Sequence, residues 1–279
     1  MRVLISADGE GISGITSTDE LLFGKPEYER FRLLMTEDVN AAVEGAFEAG
    51  ATEVIVNDSH WTMTNLLPEQ LDPRADLIKG FHKHLCMVEG VQTGVDAVFF
   101  VGHHAMVGHS DGVANETIIG REMIETRMNG QPVGELAINA ALCGHFDAPV
   151  VLVTGDDALE KEVRSTLGED VECAVTKYAL DRWTARCVAL ERSRETIKRQ
   201  ASRALSRLDS FAPHKLEGPV TLEVEFTSTS EALWASLVPG TTRKSPRTVS
   251  YTADNIVDAW KGFFAALLLG WSASDEVYG

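Results

Sequence analysis

Residues 2–8 read "RVLISAD", a short apolar run that ends in polar turn residues. A second run of the same kind, "EVIVND", occupies residues 53–58. Short β-branched runs bounded by turn residues are typical of parallel strands covered on both faces. Between them, residues 26–50 repeat apolar side chains at helical spacing, and Pro26 suits the first turn of a helix. The N-terminal part of the chain is therefore predicted to form a strand–helix–strand unit.

Two further apolar runs, "DAVFFVG" (96–102) and "PVVLVTGDD" (149–157), extend the predicted sheet. Between them, the Asn129-Gly130 pair predicts a hairpin turn, and residues 134–146 have the pattern of a helix. Strands that alternate with helices in this way are typical of α/β folds. We expect a three-layer α/β sandwich built on a mainly parallel sheet.

A change of composition at "FAPHKLEGP" (211–219) indicates where the chain divides. Residues 1–211 are predicted to form a metal-binding α/β domain whose last part, 156–210, is mixed helical. Residues 212–279 show strand, helix, strand and helix patterns in turn. They are predicted to form a smaller C-terminal α+β lobe.

Composition excludes several classes of function. The 279 residues carry a net charge of -17, with no basic stripe that would bind a nucleic-acid backbone or an anionic membrane. No window approaches the roughly 18 apolar residues of a spanning helix, and the N-terminus lacks the basic and apolar regions of a secretory leader. The four cysteines show no Cys-x-x-Cys spacing, so reduced thiols are expected. These features predict a soluble, cytoplasmic protein.

Acidic and imidazole side chains follow the first three predicted strands. In chain order they are Asp8 and Glu10, then Asp58 and His60, then His103 and His104. Ligands of open α/β sheets bind outside the carboxyl ends of the strands, where these side chains would meet. Asp8 and Glu10 lie on one face of an extended chain, whereas adjacent His103 and His104 point to opposite sides. The sequence therefore predicts a metal site that uses one histidine of the pair.

Carboxylates mixed with imidazoles suit zinc, manganese, cobalt or iron, and the pattern lacks the thiolates of a structural zinc site. The set is large enough to hold two metals with one carboxylate bridging, for which hydrolysis is the natural chemistry. A phosphate site is disfavoured, because "SADGEGISG" places two acids where a phosphate loop needs bare backbone amides. Nucleophilic serine catalysis is unsupported, because there is no G-x-S-x-G motif.

Several motifs in a fixed order carry a family resemblance over nearly the whole chain. They are "SADGEG", "VNDSH", "FVGHHA", "PVGELAINA", "VTGDD" and "LWASLVPG". The sequence resembles the zinc-dependent D-aminopeptidase family of the DppA type, which is encoded with a dipeptide permease. The resemblance implies that the metal ligands are Asp8, Glu10, His60, His104 and Glu135. It also implies a dinuclear zinc site bridged by the first aspartate, and removal of N-terminal D-amino acids from short peptides inside a ring-shaped homodecamer.

One stretch departs from the family pattern. The family places a catalytic histidine in a Gly-Val-x-x-His segment after the third strand, whereas this chain reads "DGVANETIIG" over 111–120. Counting from the Gly-Val pair puts Glu116 at the histidine position, and counting back from the final glycine puts Asn115 there. His109 is the nearby imidazole. We favour Glu116 because the Gly-Val pair is the closer reference, and keep Asn115 and His109 as candidate catalytic residues.

The sequence thus predicts a metallo-aminopeptidase that removes the N-terminal residue, of D configuration, from short peptides or amides. The expected cofactor is zinc, with manganese or cobalt as alternatives, and the expected assembly is a homo-oligomeric ring. Two other functions stay open: a metal-bearing ring that binds peptides without turnover, and a hydrolase of another small amide. The orientation of Glu116 separates them, since a carboxylate over the metals can act as a general base and one facing solvent cannot.

Overall fold

The computed structural model describes residues 1–274, which fold around two β-sheets. In chain order the strands are β1 (Arg2–Ala7), β2 (Glu53–Asp58), β3 (Ala75–Ile78), β4 (Ala97–Val101), β5 (Met123–Met128), β6 (Gln131–Pro132), β7 (Val150–Asp156), β8 (Glu172–Asp181), β9 (Thr184–Cys187), β10 (Val220–Phe226), β11 (Thr241–Arg243) and β12 (Thr248–Ala253). The helices are α1 (Thr18–Leu21), α2 (Tyr28–Glu48), α3 (Glu135–His145), α4 (Asp157–Leu167), α5 (Leu190–Ser206), α6 (Thr229–Ala235) and α7 (Ile256–Trp271). Within the described residues, no helix combines the length and the apolarity needed to cross a membrane.

The larger sheet has seven strands in the order β3-β2-β1-β4-β7-β8-β9, and every pair is parallel except β8 with β9. This confirms the predicted mainly parallel α/β sheet. At its centre, Ala7 of β1 lies opposite Asp58 of β2 and Val101 of β4. The three strands therefore end level with one another, so the residues that follow them emerge at the same edge.

Helices and the second sheet cover both faces of the larger sheet. On one face, α2 and α5 pack against each other, and Phe31, Met35 and Val39 of α2, spaced four residues apart, are fully buried in the core on that face. On the other face, Leu4 and Phe100 belong to a core shared with α3, α7 and the second sheet. The alternation of β1 and β4 thus sends successive side chains into two separate cores.

The second sheet is antiparallel, in the order β11-β12-β10-β5-β6. Its β5 and β6 form a hairpin at Asn129-Gly130, where both residues have the positive φ of a tight hairpin turn. The C-terminal strands therefore pair with two strands from the middle of the chain. The division into residues 1–211 and 212–279 stays a prediction.

The expectation of a mixed helical stretch over 156–210 is wrong in its centre. Helices α4 and α5 are present, but β8 and β9 form a hairpin between them that completes the larger sheet. The segment "ECAVTKYALD" of β8 buries alternate residues only in its first half. The apolar pattern of β8 is weak because the second half of the strand lies outside the core and is mostly exposed.

Candidate metal centre

The predicted ligands meet at the carboxyl edge of the larger sheet. Asp8 and Glu10 follow β1, His60 follows β2, and His104 follows β4. Glu135, the first residue of α3, reaches the same place from a helix N-terminus, where a carboxylate is favoured. All five side chains are buried.

Two groups of side chains share one aspartate. Ligand atoms of Asp8, Glu10 and His60 lie within 4.8 Å of one another, and so do those of Asp8, His104 and Glu135. Asp8 Oδ1 lies 3.4 Å from His60 Nδ1, and Asp8 Oδ2 lies 3.4 Å from His104 Nε2. The other carboxylates complete each group, with Glu10 Oε2 3.2 Å from His60 Nδ1 and Glu135 Oε2 3.4 Å from His104 Nε2. The two oxygens of Asp8 therefore face two different histidines.

Backbone carbonyls fix the orientation of both histidines. His60 Nε2 lies 3.2 Å from the oxygen of Leu21, and His104 Nδ1 lies 3.0 Å from the oxygen of Ala105. A carbonyl oxygen only accepts, so these ring nitrogens carry the proton. The opposite nitrogen of each ring, Nδ1 of His60 and Nε2 of His104, faces the carboxylates and is the atom that would coordinate a cation. Metal-binding histidines are oriented in the same way by a partner on the second ring nitrogen.

Unpaired buried oxygens show that the residues fit a cation. Asp8 Oδ2, Glu10 Oε2 and Glu135 Oε2 are buried and accept no hydrogen bond within the described residues. An unpaired buried oxygen is costly, and several carboxylates at this distance repel one another. Burial and the charge of Glu10 raise the pKa of Asp8 to about 7. A divalent cation between these oxygens and the imidazole lone pairs satisfies both groups, and this donor set suits zinc.

Two glycines make room for this packing. A Cβ on Gly9, between the two acids, would lie 2.7 Å from His60 Nδ1. Gly102 has φ +75°, which side chains rarely adopt, and a Cβ there would lie 2.4 Å from the backbone oxygen of Asp8. The turns after β1 and β4 can approach the ligands only because these positions lack side chains.

A buried lysine, which sequence reasoning missed, holds the loop that carries Glu10. Lys177 of β8 donates from Nζ to the backbone oxygens of Glu10 and Ile15, each at 2.6 Å. Burial lowers the pKa of Lys177 to about 8. A lysine in the middle of a strand gives no distinctive signal, because its role depends on a loop about 165 residues earlier in the chain.

Comparison with known proteins identifies the family. A family model for D-aminopeptidases matches residues 1–265. A curated D-aminopeptidase of Bacillus subtilis (strain 168) is 35% identical over 275 residues, which cover 98% of this chain and 99% of that protein. The chain belongs to the D-aminopeptidase family. The resemblance found in the sequence is thereby confirmed, and with it the expectation of an enzyme of the D-aminopeptidase type.

A solved D-aminopeptidase structure has the same fold. It is described as the Zn-dependent D-aminopeptidase DppA from Bacillus subtilis, a self-compartmentalizing protease. It is 35% identical to this chain, with a TM-score of 0.94, and the match covers 99% of this chain and 100% of that one. The structural similarity therefore extends over both sheets.

The segment that departs from the D-aminopeptidase pattern brings Glu116 to the centre. Glu116 Oε1 lies 4.0 Å from His104 Nε2, and the two residues form a third group with Glu10. Glu116 Oε2 is another buried oxygen without a hydrogen bond. Burial and the charge of Glu135 raise the pKa of Glu116 well above its ordinary value. Glu116 therefore faces the ligands and not solvent.

The other two catalytic candidates point elsewhere. The Asn115 side chain donates to the backbone oxygens of His109 and Gly112, both at 2.8 Å, so its amide closes its own loop. His109 Nδ1 accepts from the backbone N–H of Asp111. Neither side chain belongs to the three groups of potential ligands found in the described part of the chain.

His103 lies on the side of β4 opposite to His104, as expected for adjacent residues of an extended chain. Its ring stacks on Phe100, and its Nε2 lies 3.2 Å from Ser6 Oγ. Burial lowers the pKa of His103 to about 4. His103 is therefore a neutral core side chain that supports the strand next to the ligands.

Proposed function

We propose that this chain is a zinc-dependent D-aminopeptidase that holds two zinc ions through Asp8, Glu10, His60, His104 and Glu135. The observation that carries the proposal is the position of Asp8, whose two oxygens face His60 on one side and His104 on the other. A carboxylate placed in this way can bridge two ions. Manganese or cobalt could occupy the same oxygen and nitrogen donors.

Glu116 is the residue best placed to move protons. Its side chain is 19% exposed, whereas those of Asp8, Glu10 and Glu135 are 4 to 8% exposed. Bound zinc supplies a Lewis acid for the scissile carbonyl and lowers the pKa of a water. Glu116, the most exposed carboxylate of the cluster, takes the proton from the attacking water and delivers it to the leaving amine. This position favours turnover over a peptide-binding protein without activity.

The substrate is expected to be a short peptide or amide with a D-residue at its N-terminus, as the name of the related enzyme indicates. A panel of D- and L-aminoacyl amides and dipeptides, assayed with zinc, manganese and cobalt, tests this. We expect D-aminoacyl substrates to be cleaved at least about tenfold faster than their L-enantiomers, since a misplaced scissile bond loses near-attack geometry. Equal rates for both enantiomers, or cleavage of L-substrates alone, would contradict the stereochemistry proposed.

We also propose that the chain assembles into a homo-oligomeric ring, because a related enzyme is described as self-compartmentalizing, and that this ring is a decamer. Leu233, Trp234 and Leu237 on and just after α6 support the proposal, since they are 50%, 47% and 61% exposed. Exposed apolar patches commonly mark protein–protein interfaces. A cytoplasmic location stays a prediction from the sequence.

Light scattering at micromolar concentration tests the assembly. The wild-type chain is expected to run as a species several times its 30.4 kDa mass. Leu237→Glu is expected to shift it toward smaller species, because a buried charge in an interface is costly. The matched control is Ser230→Glu, which places the same charge at an exposed polar position of α6. A monomeric wild-type protein would end this proposal.

A further inference from the structure

Lys83 is a buried cation outside the proposed ligand set. The residue is 7% exposed, and its Nζ donates to the backbone oxygen of Asp58 at 2.5 Å. None of the ion pairs in residues 1–274 includes it. An ammonium group has three donors, so two of them have no acceptor among the described residues. Burial lowers the pKa of Lys83 to about 8, which leaves it mainly protonated at neutral pH.

This ammonium is bonded to the strand end that carries one of the proposed ligands. Its acceptor, Asp58, ends β2 two residues before His60. Farther along the same loop, the side-chain amide of Asn57 in β2 donates to the backbone oxygens of Cys86 and Met87, at 3.1 and 2.7 Å. The segment that carries the ammonium is therefore held against the end of β2, the strand that leads to His60.

We propose that Lys83 binds the C-terminal carboxylate of a short peptide substrate. This inference rests on the proposed aminopeptidase function, and it specifies the substrate class as peptides with a free carboxylate. A carboxylate offers acceptors for the two free ammonium donors and forms strong, charge-assisted hydrogen bonds with them.

Chain geometry limits the length of the peptide. In a dipeptide the terminal carboxylate lies one residue, about 3.8 Å, from the scissile carbonyl. Each further residue moves it by up to about 3.5 Å, whereas the ammonium is fixed by its bond to Asp58. A cation fixed at the end of β2, close to the strand end that carries His60, therefore selects short peptides over long ones and over amides. The competing role is structural, in which Lys83 only ties its loop to β2.

Calorimetric binding to the zinc-loaded protein separates the two roles. The probes are a ketomethylene isostere of D-alanyl-D-alanine, which cannot be cleaved, and the C-terminal amide of the same isostere. The wild-type protein is expected to bind the acid about 10-fold to 100-fold more tightly than the amide. Lys83→Met is expected to abolish this difference and leave amide binding within about threefold. Lys79→Met, which removes an exposed charge from the same segment, is expected to retain it.

Each other outcome overturns the proposal. Equal wild-type affinity for acid and amide, no binding of the acid, or a preference that survives Lys83→Met would show that Lys83 does not hold the carboxylate. The wild-type comparison decides the question even if the variant does not fold. Failure of the proposed function has a different signature: the wild-type protein would not hydrolyse a D-aminoacyl amide, a substrate that does not need Lys83.

Discussion

Asp8→Asn is expected to remove more zinc than any other single substitution among the five proposed ligands. A bridging carboxylate serves both ions, and an asparagine side chain has only one oxygen to offer. Zinc content should therefore fall from about two ions per chain to below one. Activity should fall by more than about 10²-fold, because even loss of a residue that only supports a ligand costs 10-fold to 100-fold. Elemental analysis and a D-aminoacyl amide assay on the same sample measure both effects.

Glu10→Gln and Glu135→Gln are the matched controls for this experiment. Each residue belongs to only one of the two groups that share Asp8, so each variant is expected to retain about one ion per chain. Circular dichroism shows whether a variant remains folded. If Asp8→Asn retained as much zinc as the two controls, Asp8 would not be the shared ligand.

Glu116→Gln is expected to lower kcat by about 10²–10⁴-fold, the usual contribution of a positioned acid/base group. Glutamine has nearly the same shape but cannot take a proton from water. Zinc content is expected to stay unchanged, because the proposed ligands are all present. The pH dependence of kcat should lose one ionisation, which steady-state assays across a pH series would show.

His109→Ala and Asn115→Ala test the two other candidates. Both side chains contact loop backbone, so we expect losses smaller than that of Glu116→Gln. Full activity in Glu116→Gln together with its loss in His109→Ala would assign the proton transfer to His109. Loss of zinc in Glu116→Gln would instead make Glu116 a ligand.

Strand ends alone locate Asp8, Glu10 and His60 among the proposed ligands. They also predict that one histidine of the pair at 103 and 104 is a ligand, but only the family resemblance selects His104. Asp8, Glu10, His60 and His104 each follow an apolar run, and parallel strands end at one edge. Glu135 could not be found in this way, because an acid at the start of a helix is common and usually serves the helix itself. Only the family resemblance identifies Glu135 as a ligand. In the structure its Oε2 lies 3.4 Å from His104 Nε2.

The features that the sequence did not reveal depend on distant contacts. The second half of strand β8 lies outside the core, so the apolar pattern of the strand is short. The sequence of residues 156–210 therefore predicts a mixed helical stretch and not this strand. Lys177 and Lys83 resemble surface lysines in the sequence, and only the fold shows that they are buried against backbone oxygens. Burial of a charge is decided by tertiary packing, which local composition does not encode.

Anomalous diffraction at the zinc edge tests most directly whether Asp8 is shared by the two ions of a dinuclear zinc centre. Crystals of the zinc-reconstituted protein are predicted to show two anomalous peaks per chain, one on each side of the Asp8 carboxylate. One peak should contact His60 Nδ1 and the other His104 Nε2. A single peak, or peaks away from these two nitrogens, would contradict a dinuclear centre that is shared by Asp8.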